Sequence, residues 1–165
     1  MKKLFALLLA AFMLFSLAAC GGEEETTAPA ETTTEAPATE PVVVDGPVIS
    51  PKGNVTIAAS ADWEYTGEYA ADMLEFKGVA VSGASVYISD TENMEYEVQK
   101  KTVGYAYPDK EFEEVTIGSV TYECMSSDTV IYLVAPTSDG NAIYIQVRDC
   151  SLDDAKTLLE NVEIK

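Results

Sequence analysis

No histidine occurs anywhere in the 165 residues. Its absence removes the commonest general base and the commonest metal ligand. Every Ser-His and Cys-His nucleophilic arrangement goes with it. Zinc catalysis through its usual ligands is excluded on the same ground. Cations are scarce: ten Lys and Arg stand against 28 Asp and Glu, for a formal net charge of −18. A field of that sign repels nucleic acid and anionic lipid, so nucleic acid is not expected as a partner. GxSxG, the P-loop, GxGxxG, the EF-hand loop and SxxK are all missing. No cofactor and no metal are therefore expected.

What is present begins with an address. Lys2 and Lys3 precede LFALLLAAFMLFSLAA at 4–19, whose one polar side chain is Ser16. A basic start, an apolar run and small residues before a cut describe a secretory signal. The run is shorter than the ~20 apolar residues of a spanning helix, and it lacks the polar face of a core helix. The residues Leu17-Ala18-Ala19-Cys20 resemble the lipobox of bacterial lipoproteins. That resemblance implies a diacylglyceryl group on the Cys20 thiol and cleavage just before it, leaving residues 1–19 as the signal peptide. Each buried methylene adds about 0.8 kcal/mol, so two acyl chains hold where one does not. The expected location is the extracytoplasmic face of the cell membrane, with the membrane as a partner through lipid on Cys20.

Residues 20–47 follow as a linker of Thr, Glu, Pro and Ala with no Lys or Arg. Such a composition buries too little apolar surface to offset its ordering entropy, and its prolines and like charges stretch it. It reads as a disordered spacer, with threonine glycosylation as the functional alternative. Residues 48–165 are long enough for one folded domain. That domain holds all nine tyrosines and the single Trp63, and its 21 acids and eight bases give a net charge of −13. The acids are scattered rather than clustered, as on a solvated surface.

The domain reads mostly as strands. NVTIA, ASVYIS and DMLEFKG are β-branched, aromatic or alternating, and Trp63 to Tyr65 suggest a short strand. SVTYECM (119–125) places Val120, Tyr122 and Cys124 on one face. TVIYLVA (129–135) is continuously apolar, as a strand covered on both faces is. AIYIQVR (142–148) alternates Ile143, Ile145 and Val147 against Tyr144, Gln146 and Arg148. Turn residues join these three into an antiparallel meander. Ser151, with Asp154 three residues on, starts a helix whose apolar stripe runs Leu152, Ala155, Leu158, Leu159, Val162. Residues 91–112 fit either a short helix or a long strand pair. The expected class is α+β: a mostly antiparallel sheet with the C-terminal helix packed on it. Val115-Thr116-Ile117-Gly118, Tyr122, Leu159, Val162 and Ile164 resemble the C-terminal half of extracytoplasmic domains with the PsbP/Mog1-like α/β sandwich, although Ser119 stands where that pattern has a second glycine. The resemblance implies a largely non-catalytic binding or assembly factor.

Candidate chemistry is thin. Asp90 and Asp128 each precede a threonine, but the third residue is Glu92 or Val130 rather than the glycine of an aspartic-protease loop. They read as turn residues. Asp90, Glu92, Asn93 and Glu95 are of the type that binds calcium, but an exposed loop is the better account of them. Cys124 and Cys150 invite a disulfide in an exported protein; buried free thiols are the other reading. Tyr96, Tyr105, Tyr107, Trp63 and Tyr65 are suited to lining a groove or to packing a core. The functional expectation is a non-enzymatic, membrane-anchored lipoprotein that binds a protein or small ligand outside the cell. The alternative is a cell-envelope hydrolase using paired carboxylates.

Overall fold

The computed structural model describes residues 46–70 and 72–165. The signal, Cys20 and the linker up to Asp45 lie outside the described residues. In chain order the elements are β1 (Val48–Ile49), β2 (Val55–Ile57), β3 (Trp63–Ala70), β4 (Met73–Gly78), β5 (Ser85–Glu95), α1 (Tyr96–Ala106), β6 (Glu113–Ile117), β7 (Val120–Ser126), β8 (Val130–Pro136), β9 (Asn141–Arg148), α2 (Leu152–Leu159) and β10 (Val162–Ile164).

Seven strands form one antiparallel sheet in the order β3-β4-β5-β9-β8-β7-β6. Successive side chains of a strand point to opposite faces, and both faces are used. On the first, Leu74, Phe76, Val86, Ile88, Tyr122, Leu133, Ile143, Ile145 and Val147 build the main core. Ala155, Leu158 and Leu159 of α2 close it, with the small antiparallel sheet β1-β2-β10 beside them. On the second face, Val134, Ala142 and Met125 pack against Val103 of α1. The apolar run of β8 is thus explained: Ile131, Leu133 and Ala135 serve the first core and Tyr132 and Val134 the second. The α+β class and the C-terminal helix on the sheet are as the sequence implies.

Local chemistry sets the ends of α2. Ser151 Oγ accepts from the Asp154 backbone N–H, and the Asp154 carboxylate accepts from the Ser151 N–H, a complete capping box. The helix stops at Leu159, earlier than its apolar stripe suggests. Val162 belongs instead to β10, opposite Ile57. Gly118 makes the β6–β7 turn at φ +58°, and a Cβ there would lie 2.8 Å from the Glu160 carbonyl oxygen. Only glycine permits both that conformation and that approach to the end of α2. The strand expected at Trp63–Tyr65 extends to Ala70, and residues 96–106 of the ambiguous segment are helical.

Asp90 departs most from expectation. It is a buried strand residue on β5, not a turn residue. Its carboxylate accepts hydrogen bonds from Ser50 Oγ, from Asn54 Nδ2 at 3.0 Å and from the Asn54 backbone N–H at 3.2 Å. Those donors sit in the β1–β2 turn, so one side chain ties the small sheet to the middle of the large one. Asp128 is a turn residue as expected, with its side chain 98% exposed. Replacing Asp90 with Ala strands buried donors and should lower unfolding free energy by about 3 kcal/mol. Asp128→Ala should change it by less than about 0.5 kcal/mol. Urea titrations of both variants check this; equal midpoints would refute the tie.

Tyr122 is fully buried, and its hydroxyl has no hydrogen-bond partner. Burial alone pushes its phenol well above the ordinary range. Tyr122→Phe removes a desolvated hydroxyl and little else, and should raise stability by about 1 kcal/mol. A loss of comparable size in thermal unfolding would mean that the hydroxyl is satisfied.

Candidate functional site

The second face of the large sheet is only partly covered. Helix α1 packs over β8, β9 and the adjoining part of β5. Toward β4 and β3 the face is open: Tyr69 is 65% exposed and the Lys77 side chain 58%. Antiparallel register sorts the residues here into rows. Glu75, Tyr87, Gln146 and Tyr132 are successive cross-strand neighbours, and Lys77, Ser85 and Arg148 form the next row.

These side chains bond to one another in an unbroken relay. Thr66 Oγ1 donates to Glu75 Oε2 at 2.6 Å, and the Tyr87 hydroxyl donates to Glu75 Oε1 at 3.0 Å. Tyr69 meets the Tyr87 ring edge-on, with centroids 5.0 Å apart. The guanidinium of Arg148, the only arginine in the chain, lies 5.1 Å over the Tyr87 ring. Its Nε and Nη2 donate to Gln146 Oε1, at 3.1 and 2.5 Å. Gln146 Nε2 donates to the Tyr144 hydroxyl at 3.1 Å. Tyr144 stacks on Tyr132 at 6.0 Å, and the Tyr132 and Tyr107 hydroxyls share a 2.7 Å hydrogen bond. Such a surface offers aromatic planes, a cation with free donors and fixed hydroxyls. It suits recognition of a ligand with both apolar faces and hydroxyl or amide groups. Where α1 meets this row, a cavity of about 140 Å³ opens, lined by Gln99, Thr102, Val103 and Ala106 and by three tyrosines, 107, 132 and 144.

Burial favours the neutral form of three tyrosines of this face, 87, 132 and 144. Burial, outweighing the Arg148 charge, pushes the Tyr144 phenol up to about 12. Burial and then the hydrogen bond with Tyr107 push Tyr132 up to about 12. Tyr87 is raised as well, chiefly by burial.

The residues singled out from sequence are dispersed. Trp63 and Tyr65 lie on the first face, beside a cleft of about 490 Å³ that also involves Phe76 and Leu158; Trp63 Nε1 donates to Thr157 Oγ1 at 2.9 Å. Tyr96 and Tyr107 pack on the second face, and Tyr105 is 85% exposed. The sheet separates the two groups, so they do not line one groove. Asp90 is fully engaged in the tie, Asn93 and Glu95 are exposed, and the side chain of Glu92 lies outside the described ones. Among the described residues no group of three metal-ligating side chains is brought together. Cys124 and Cys150 are free thiols, both pushed up by burial. Cys124 is on β7 and Cys150 follows β9, with β8 between. Two strand spacings alone are about 10 Å, beyond the ~7 Å between Cα atoms that a disulfide spans. Cys20 lies outside the described residues.

Tyr87, Tyr132, Gln99 and Arg148 were not singled out. The signal lay in β9, whose polar alternation of Tyr144, Gln146 and Arg148 marks a second face with its own chemistry.

No family model and no curated protein matches the chain. Among solved structures, it is similar to a crystal structure from Bacteroides thetaiotaomicron VPI-5482, with a TM-score of 0.51 and 16% identity. The match covers 73% of this chain and 48% of that one, so the chain spans about half the length of the protein it matches. The likeness is one of fold.

A raised phenol pKa is a stability dependence. Protonated tyrosine is favoured in the folded state, so the stabilisation is fully present below the unfolded value near 10 and is lost as pH rises toward 12. Unfolding free energy should therefore fall across that window, and less steeply in Tyr132→Phe and Tyr144→Phe variants. Denaturant titrations at stepped alkaline pH measure it; an unchanged slope in both variants would rule out these two residues as the cause.

Proposed function

We propose that the protein is a non-enzymatic lipoprotein, anchored through Cys20 at the extracytoplasmic membrane face, whose domain binds a ligand on the open tyrosine face. The observation that carries this is the relay from Thr66 to Tyr107. It prearranges aromatic planes and polar groups on a rigid sheet, which lowers the ordering cost of binding. Glu75, the carboxylate at the centre of the face, has both oxygens occupied by donors. It is therefore suited to holding Tyr87 and Thr66 in place rather than to proton transfer. Asp139 and Asp154 are held below the usual carboxylate range by hydrogen bonds, from Thr137 and Ser151 first. A carboxylate hydrolase would call for a facing acid raised instead. Helices on both faces of an antiparallel sheet, with the Gly118 turn, are compatible with the PsbP/Mog1-like resemblance of the sequence, which implies a largely non-catalytic role. The acidic domain, net −13, is kept off anionic headgroups by repulsion, which favours a tether over direct contact with the bilayer.

Two arms test this in cells. Cys20→Ala should abolish labelling by a fatty-acid analogue and move the protein from the membrane to the soluble fraction; retention of both would overturn the anchor. Crosslinking of the lipidated protein, with mass spectrometry of what is attached, should recover a ligand that the Tyr87→Ala/Arg148→Ala double variant loses. Equal recovery from both would move the binding site elsewhere.

A further inference from the structure

The cleft beside Trp63 lies on the first face, where β3 is the edge strand of the large sheet. Val48, Trp63, Tyr65, Phe76 and Leu158 line it, with Ser60 and Glu64 as its polar members. Val79 lines it too and is 64% exposed, an aliphatic side chain left uncovered beside an apolar hollow. Covering such surface is favourable. The indole N–H of Trp63 is already bonded to Thr157, so the cleft offers apolar contact more than hydrogen bonds. Its volume, about 490 Å³, is some three times the ~150 Å³ that holds one benzene ring.

The chain itself carries a segment that suits this cleft. Gly46, where the continuous described chain begins, lines it. Only Asp45 separates Gly46 from Val42-Val43-Val44. Residues 21–41 hold no Val, Leu, Ile, Met or aromatic side chain, so the triplet stands apart from the Thr, Glu, Pro and Ala before it. An extended chain advances at most ~3.6 Å per residue, which keeps all three valines within about 14 Å of Gly46. A segment joined to its site by one residue is present there at an effective concentration of order mM. A free apolar ligand would have to displace it. A second copy would bring one domain of net charge −13 against another, which repulsion disfavours.

We infer that Val42–Val44 seat in this cleft and cover Val79 and the rings around Trp63. The spacer then ends at Pro41, and the tether leaves the domain on its first face. The tyrosine relay is on the opposite face of the same sheet, so the tether leaves the ligand face clear. The seat depends on the valines and the cleft alone and holds whether or not Cys20 carries lipid.

Urea unfolding of the full-length protein in phospholipid nanodiscs tests it, followed by the emission of Trp63, the single tryptophan. Val42→Ser/Val43→Ser/Val44→Ser removes the apolar side chains without adding charge. It should raise the unfolding constant at least about tenfold, equivalent to about 1.4 kcal/mol. Thr32→Ser/Thr33→Ser/Thr34→Ser, three small changes within the spacer, should leave it unchanged. Val79→Ser should raise it as well, and in combination with the valine variant should add less than its separate effect, as residues in contact do. Val79 is exposed and the triplet lies outside the described elements, so these variants fold. Trichloroethanol, a small soluble quencher, should reach Trp63 more readily in the valine variant. An unchanged unfolding constant in that variant, or strict additivity with Val79→Ser, would overturn the seat. Equal quenching in the two proteins would mean a cleft open to a free apolar ligand and would overturn it too. A constant that differs between discs carrying one and two copies would give the cleft to a second copy instead.

Discussion

Strand β9 is hydrogen-bonded to β5 on one side and β8 on the other, and its alternating side chains commit the sheet's two faces to different work. Ile143, Ile145 and Val147 are fully buried in the main core. Burying such side chains is worth about 1.5–3 kcal/mol each, and a slip of one residue would turn all three toward Gln146 and Arg148's side of the sheet. The core therefore sets the register. The register in turn sets which residues meet on the other face: Gln146 between Tyr87 and Tyr132, Arg148 beside Ser85. The relay is a consequence of packing on the opposite side of the same strands.

The parts of the fold legible in the sequence are those written in local pattern. The β7–β8–β9 meander shows in alternation and in its Ser-Asp and Asp-Gly turns, and α2 shows in its cap and stripe. The parts that were not legible depend on partners far along the chain. β1 has two residues and β10 three, too few for any periodicity to register. Val162, three residues beyond Leu159, suits a helical stripe as well as a strand until Ile57 is seen opposite it. Helix α1 buries only Gln99 and Val103, so its stripe is faint. Asp90 resembles a turn residue because its neighbours Thr91, Glu92 and Asn93 are polar; Ser50 and Asn54, 40 and 36 positions away, give it a different role. The candidate site was half legible for the same reason. β9 announces Tyr144, Gln146 and Arg148, while Tyr87, Tyr132 and Gln99 join them only through pairing and helix docking.

Acidity and the site are connected through Arg148. In a domain with 21 acids and eight bases, a lone arginine would be expected to sit against a carboxylate. It sits instead over an aromatic ring and on an amide oxygen. A bidentate carboxylate would occupy the fork and satisfy its charge; Tyr87 and Gln146 orient it and leave Nη1 without a hydrogen-bond partner among the described residues. Glu75, one strand beyond Tyr87, is spent on two hydroxyl donors rather than on the cation. The surrounding negative field disfavours anionic ligands, which leaves neutral, hydroxyl- or amide-bearing ones as the chemistry that this cation can meet.

Among the described residues one buried side-chain polar atom lacks a hydrogen-bond partner, the Tyr122 hydroxyl. Tyr122 sits among the side chains of the main core, so its hydroxyl is a cost to stability. Gln99 lines a cavity at the border between covered and uncovered sheet. The weak amphipathicity of α1 fits that position: a fuller apolar stripe would fill the cleft between helix and sheet.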